Sequence, residues 1–386
     1  MILLNPSLIF FITWIPALLF LIFNGHHGYS LKLSGNISIF IFMNLLILLI
    51  LNFIFGFNSG YSRSAFFQKF NFLKLHQIKR IINLLFFIWF IGFILNIFFS
   101  GGFPLLWLLT GDSRNYTDFG IPTFSGLLNM IRCFLSTLLI FLLSKDTKSS
   151  CLYLLILTFL IFSVLLLELS RGNAIFLFLH VFTAFILFRK KSIFKFLFSS
   201  ILIILTGIPL FYLIKMVRTT EGLETLFSAE IITFGFFEPI LNYIFYPLLN
   251  LNLYFQDIIL FNFEPNYSLS GFVPTFIRQS FFDSGNYGQL VNEAFNTSTF
   301  FVPFLIDYGV IFTLIIVSII YSYCYLVFYY VNNNSVFAVL MYPSLVASLY
   351  LSIFSLYFTT LVVILYPSLV LLFLLILNKL RFKIIK

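Results

Sequence analysis

Charged side chains are scarce in this chain. Lysine, arginine, aspartate and glutamate together make up 9% of its 386 residues, where a soluble domain carries roughly a quarter. So few charges cannot cover a water-facing surface, which excludes an ordinary soluble enzyme. Cysteine is rarer still. Cys133 and Cys324 lie inside apolar runs and Cys151 begins another, so no disulfide framework is legible. His26, His27, His76 and His180 show no ligand spacing with acids or cysteines. No Asp-x-Asp pair occurs, and no Gly-x-Ser-x-Gly, Walker or dinucleotide motif. The sequence demands neither a metal nor a cofactor.

What fills the chain instead is apolar. Hydrophobic residues make up 61%, with 58 phenylalanines, and the mean hydropathy is +1.07. Lipid accepts Phe, Leu and Ile almost interchangeably, so the phenylalanine excess reads as the codon bias of an A/T-rich genome and not as a site. The runs reach the ~20 residues that a helix needs to cross a hydrocarbon core, and the alternating ten-residue pattern of a barrel is missing. The fold class is therefore all-α, a polytopic transmembrane helical bundle in a single integral membrane domain, 1–386. Hydropathy predicts about ten spans, at 5–23, 37–57, 81–99, 123–143, 151–169, 173–188, 197–215, 302–330, 336–354 and 357–378. The first run lacks a basic leader and a cleavage site and reads as a retained span.

Loop charge gives an orientation. Alternating connections and the tail hold Arg63, Lys69, Lys74, Lys79 and Arg80, then Lys145 and Lys148, then Arg189, Lys190, Lys191 and Lys195, then Lys379, Arg381, Lys383 and Lys386. These are 15 of the 22 basic residues. By the positive-inside rule both termini are expected in the cytoplasm, and the net charge of +9 needs no nucleic-acid partner. The same map puts 216–300 outside as one large loop, too aromatic for disorder. It has room for interfacial or re-entrant helices, its apolar runs being broken by Pro239 and Pro247.

Arginine is avoided on the outer side, so Arg114, Arg171, Arg218 and Arg278, in four separate outer connections, need a reason. Guanidinium grips phosphate two oxygens at a time, and a polyanionic ligand at the outer face accounts for all four. In "LLLELSRGNAIFLFLH", from 165 to 180, Glu168 stands at i, i+3 from Arg171 and is expected to orient it. Arg132 and Asp307 lie inside spans, where ionisable groups usually face a partner or a cavity, and are expected to pair with each other. His180 is expected to be packed or pore-facing.

"LSRGNAIF" in an outer hairpin, "YIFYPLLNLNLYF" in the large loop and "NTSTFFVPFLIDYGVIFTLII" leading into a late span resemble the oligosaccharide repeat-unit (O-antigen, Wzy) polymerases of the bacterial inner membrane. The likeness spans roughly 160 to 330. It implies a GT-C-like membrane glycosyltransferase in the inner membrane, whose substrates are undecaprenyl-diphosphate-linked glycans. A growing glycan would pass from its lipid diphosphate to a sugar hydroxyl of a new repeat unit at the periplasmic face. It also implies membrane lipids and a chain-length regulator protein as partners. Arg171, Arg218, Arg278 and Arg114 would then hold the diphosphate, Glu293 or Asp283 would serve as base, and Tyr243, Tyr246, Phe263 and Tyr267 would stack on sugars or anchor the loop in the interface. One motif of some members, Arg and Gly separated by ten residues, departs here: Arg278 to Gly288 is one residue short, and Arg218 has no Gly at that distance. Rival readings are an O-antigen ligase, disfavoured because no histidine follows His180, a lipid-linked oligosaccharide flippase or transporter, disfavoured because charges avoid the midplane, and a structural partner.

Overall fold

The computed structural model describes residues 2–24, 35–55, 61–70, 75–145, 150–188, 238–256, 266–274, 277–278, 280 and 298–382. Among them 86% are helical and none is in a strand. This is what lipid requires, since a helix satisfies its backbone hydrogen bonds internally.

The helices are α1 (Pro6–Asn24), α2 (Gly35–Phe55), α3 (Arg63–Phe70), α4 (Leu75–Ser100), α5 (Pro104–Thr110), α6 (Phe124–Lys145), α7 (Ser150–Phe162), α8 (Arg171–Phe188), α9 (Glu238–Gln256), α10 (Phe301–Asn332), α11 (Val336–Tyr350), α12 (Leu361–Ile364) and α13 (Tyr366–Phe382). Proline opens many of them: Pro6, Pro104, Pro239, Pro303 and Pro367 all sit in first turns, where the missing N–H has no intrahelical partner to lose.

Five segments are long and apolar enough to cross a membrane: Gly35–Phe55, Leu75–Thr110, Phe124–Lys145, Phe301–Asn332 and Val336–Ile353. Shorter apolar helices lie at Pro6–Leu19, Cys151–Leu165, Gly172–Phe188 and Leu361–Leu377. Nine of the ten expected spans therefore coincide with apolar helices, four of these shorter than a full crossing, and 197–215 lies outside the described residues. The last expected span is not continuous. Its start is a 3-10 turn at Tyr357–Thr359, followed by the short α12 and then α13.

Burial separates inner from outer helices. The apolar stretch of α11 is 83% buried and that of α6 is 72% buried, against 28% for α2 and 33% for α10. Helix α11 packs on α1, α8, α10 and α13, while α6 packs on α4, α7, α8 and α12. The exposed faces of α2, α4 and α10 carry Phe42, Phe53, Phe87, Phe98, Ile311 and Ile319, as lipid-facing surfaces do.

Polar side chains within the apolar helices act as cross-links. Asn5 Nδ2 donates to Asn52 Oδ1 at 2.8 Å, Ser7 bonds the Tyr325 hydroxyl, and the Tyr342 hydroxyl donates to the Leu4 carbonyl. His180 Nε2 lies 2.9 Å from the Tyr366 hydroxyl, which stands 3.3 Å from Thr137 Oγ1. This joins α8, α13 and α6. An aromatic cluster of Phe10, Trp14, Phe300, Phe301 and Tyr321 ties α1 to the start of α10.

Of the segment whose apolar runs Pro239 and Pro247 interrupt, residues 238–256 form the helix α9. Pro239 is in the first turn, and Pro247 lies inside the helix. It removes one hydrogen bond, which packing around it offsets: Leu248, Leu251 and Phe255 are buried in the core, and α9 contacts α1, α2 and α10. Tyr246 is buried in the same helix, so it does not face solvent.

Candidate active site

Four connections that the charge pattern assigns to one side meet at one end of the bundle. They enclose a pocket of about 720 Å³, within the ~300–1,000 Å³ usual for small-molecule sites. Residues 117–126 close it from the α4–α6 connection, Asn173, Phe176 and Leu177 from the start of α8, and Tyr267, Ser270, Gly271 and Arg278 from the large loop. Asn129, Arg132 and Cys133 on α6, Ser298 and Pro303 at the entry to α10, and residues 355–362 complete it.

Local geometry explains how these segments come together. Gly120 has φ of 93°, and a Cβ there would clash with Ser125 Oγ. Its N–H donates to Ser100 Oγ at 2.7 Å, and the Ile121 N–H donates to Asn96 Oδ1 at 3.0 Å. The connection is thus pinned to the end of α4. A Cβ on Gly172 would lie 2.9 Å from the Tyr357 hydroxyl, so glycine lets α8 begin close against the 357–360 turn without moving that side chain. A Cβ on Gly271 would lie 2.6 Å from the Thr359 carbonyl oxygen, giving the large loop the same close seat.

Among the described residues the lining holds two guanidinium groups, Arg132 and Arg278, and no carboxylate. Hydroxyls and amides make up about half of the rest, among them Ser125, Asn129, Asn173, Ser298, Tyr357 and Thr360. Arg132 is only 3% exposed. Its Nη1 lies 3.4 Å from Glu168 Oε2, and its Nη2 bonds Oε1 of the same carboxylate. The guanidinium sits 5.3 Å from the Trp89 ring centroid, a cation–π contact. Arg278 donates from Nη2 to the Val273 carbonyl at 3.3 Å and has no carboxylate partner among the described residues. Both arginines leave a buried Nε–H without a partner, and unmade bonds of this kind are costly unless a ligand or water makes them.

Glu168 therefore serves Arg132, whereas the side chain of Arg171, its expected partner, lies outside the described residues. The cause of the Arg132 contact is backbone: α7 ends in a π-type turn at Ser163–Leu167, closed by Glu168 N–H to the Ser163 carbonyl at 2.9 Å. Leu169 then adopts φ of 50°, a left-handed conformation uncommon for leucine. Together they turn Glu168, 7% exposed, toward α6. Arg132 does not meet Asp307 either. The Asp307 carboxylate accepts the backbone N–H groups of Tyr267 at 3.1 Å and Ser268 at 2.7 Å, and the Ser268 hydroxyl at 2.5 Å.

The other expected site residues fall as follows. Arg171 opens α8 at the pocket's edge, where Asn173 lines it, and its side chain lies outside the described residues. Arg218, Glu293 and Asp283 lie outside them too, as does Phe263 and the side chain of Tyr243. Tyr267 lines the pocket. Arg114 does not. Its Nε donates to Asp112 Oδ2 at 3.0 Å, its Nη1 to the Ser100 carbonyl, and its guanidinium lies 4.5 Å from the Trp107 ring centroid. The hydrogen bond from Arg114 holds the Asp112 carboxyl below its ordinary pKa, and the same bond raises that of Arg114. Arg132 is the lining residue that sequence reasoning assigned elsewhere. Asn129, one turn before it on α6, and the hydroxyl run Tyr357, Thr359, Thr360 carried the available signal, since polar groups inside apolar runs tend to face cavities.

Among the described residues no group of three or more His, Cys, Asp or Glu side chains could hold a metal ion. No family model, curated protein or solved structure matches the chain.

Proposed function

We propose that this chain is a membrane glycosyltransferase of the inner membrane that polymerises undecaprenyl-diphosphate-linked oligosaccharide repeat units at the periplasmic face. The observation that carries the reading is the pocket: two arginines, no carboxylate and many hydroxyls and amides among its described lining, at the bundle end where the outer connections meet. Since Glu168 compensates Arg132, Arg278 supplies the net positive charge of the described lining. That combination suits an anion bearing a polar, hydroxylated group.

In this reaction a sugar hydroxyl of the acceptor attacks the anomeric carbon of the donor glycan. The bond from that carbon to the diphosphate oxygen breaks, and the lipid diphosphate leaves with the electron pair. The hydroxyl proton passes to a base, for which Glu293 and Asp283 are the candidates. Arg278 and Arg132 receive the charge developing on the leaving group, and Arg171 and Arg218 remain candidates for the same role. Arg132, which lines the pocket, takes the place first given to Arg114, which does not. A well-placed donor to developing charge is worth about 10²–10³-fold in rate. Tyr267 offers a ring for a sugar face.

The test is the glycan profile of a deletion strain complemented with Arg278→Ala. The expected result is a ladder collapsed to single repeats, with Arg278→Lys restoring part of it because the forked geometry is lost. Full-length polymer stranded on undecaprenyl diphosphate would point to a ligase, and repeats facing the cytoplasm to a flippase. Either result overturns the reading.

A further inference from the structure

Asp307 is 1% exposed, inside α10, and its carboxylate is surrounded by donors. Both of its oxygens lie 3.1 Å from the Tyr267 backbone nitrogen, and Oδ2 also accepts from Ser268 N–H at 2.7 Å and from its hydroxyl at 2.5 Å. Adjacent backbone N–H groups form an anion-binding arrangement. Here a carboxylate of the chain itself fills it, closing a separation of 39 residues. Two residues on, Gly309 has φ of 67° and ψ of −176°, which breaks α10 into two helical pieces. Asp307 thus lies in the last turn of the first piece, two residues before the break.

The segment held in this way carries Tyr267, Ser270 and Gly271 into the pocket and leads on to Arg278. The seat of Gly271 on Thr359 supports it further. We propose that Asp307 is a positioning residue: it anchors the Tyr267–Ser268 backbone, fixes this segment as one wall of the pocket, and so sets where Arg278 stands. The inference rests on the reading of the pocket as the substrate site, but the anchoring itself can be measured without substrate.

The experiment uses the full chain in native membranes with Cys151→Ser and Cys133→Ser, which remove the exposed cysteine and the one that lines the pocket and leave the buried Cys324. A reporter thiol is introduced by Ser270→Cys. Asp307→Asn keeps the side-chain shape but removes the charge. Hydrogen bonds to a charged group are strong enough that losing them should raise the open population, and the rate of maleimide labelling, about 10- to 100-fold. Ser268→Ala removes only the hydroxyl donor and should raise the rate less. Asp307→Glu, which retains the charge, should recover part of the protection.

If Asp307→Asn does not accumulate as folded protein, the Ser268→Ala rate decides. Unchanged labelling in the folded variants overturns the anchoring role. Adding undecaprenyl diphosphate separates this result from the functional reading. Protection of the reporter thiol by the lipid, lost in Arg278→Ala, is expected if the pocket binds diphosphate. Asp307-dependent labelling without lipid protection keeps the anchor and rejects the substrate assignment.

Discussion

Removing the carboxylate of Glu168 should be more damaging than removing the ion pair altogether. Arg132 and Glu168 are 3% and 7% exposed, so Glu168→Gln leaves a guanidinium buried without a countercharge. Breaking a buried pair from one side costs about 3–5 kcal/mol, whereas replacing both partners with apolar groups of similar volume is often neutral or stabilising. The double variant Arg132→Met, Glu168→Leu is therefore expected to melt near the native temperature, and Glu168→Gln well below it, when both are followed by fluorescence-detected size exclusion in detergent. Function should follow the opposite order of recovery. With Arg132 gone the leaving diphosphate loses one cation, worth about 10²–10³-fold, so the stable double variant should still fail to make long glycan. Arg132→Lys keeps charge without the two-point contact and should fall between them. A Glu168→Gln protein as stable as native would show that the pair does not hold this end of α6. A double variant with a normal ladder would remove Arg132 from the chemistry.

Three further outcomes are expected. Gly309→Ala places a side chain at φ of 67° and should cost about 1–3 kcal/mol, read as a lower melting temperature; no loss would mean that the kink relaxes freely. The Asp112–Arg114 contact should respond to acid: the Asp112 pKa is lowered on folding, so its contribution is present above about pH 4 and lost as pH falls through the lowered value. Because Arg114 stacks on Trp107, an acid-dependent change in tryptophan emission should vanish in Asp112→Asn, and its persistence there would assign the change elsewhere. His180→Phe should retain polymerisation and lose about 0.6 kcal/mol, the mean for such intramembrane bonds; a folded but inactive His180→Phe protein would bring His180 into the reaction.

The helices were legible because lipid leaves a chain little choice. Runs such as 37–57 and 302–330 lie within a few residues of α2 and α10. The meeting of these connections was legible in outline, since the charge pattern put residues 100–122, 170–172, 216–300 and 355–356 on one side and the pocket draws on all four stretches or their immediate neighbours. Partner choice was not. Nothing in "SVLLLELS" distinguishes a π-type turn from a plain helix end, yet that turn carries Glu168 to Arg132. Asp307 is held by backbone N–H groups, which carry no residue signature. Arg114 looked available because its neighbour Asp112, two residues away, reads as an ordinary loop acid.

The distance in sequence between Arg132 and Glu168 also bears on how the protein is made. They are 36 residues apart, so at ~5–20 residues per second the ribosome delivers the acid about 2–7 s after the base. During that interval α6 meets the translocon with an uncompensated arginine, a penalty of about 2.5–3.5 kcal/mol when it sits at mid-helix. Helices α6 and α7 are thus best inserted together as a hairpin, and a longer stretch between them would extend the time for which the nascent α6 has no counterion.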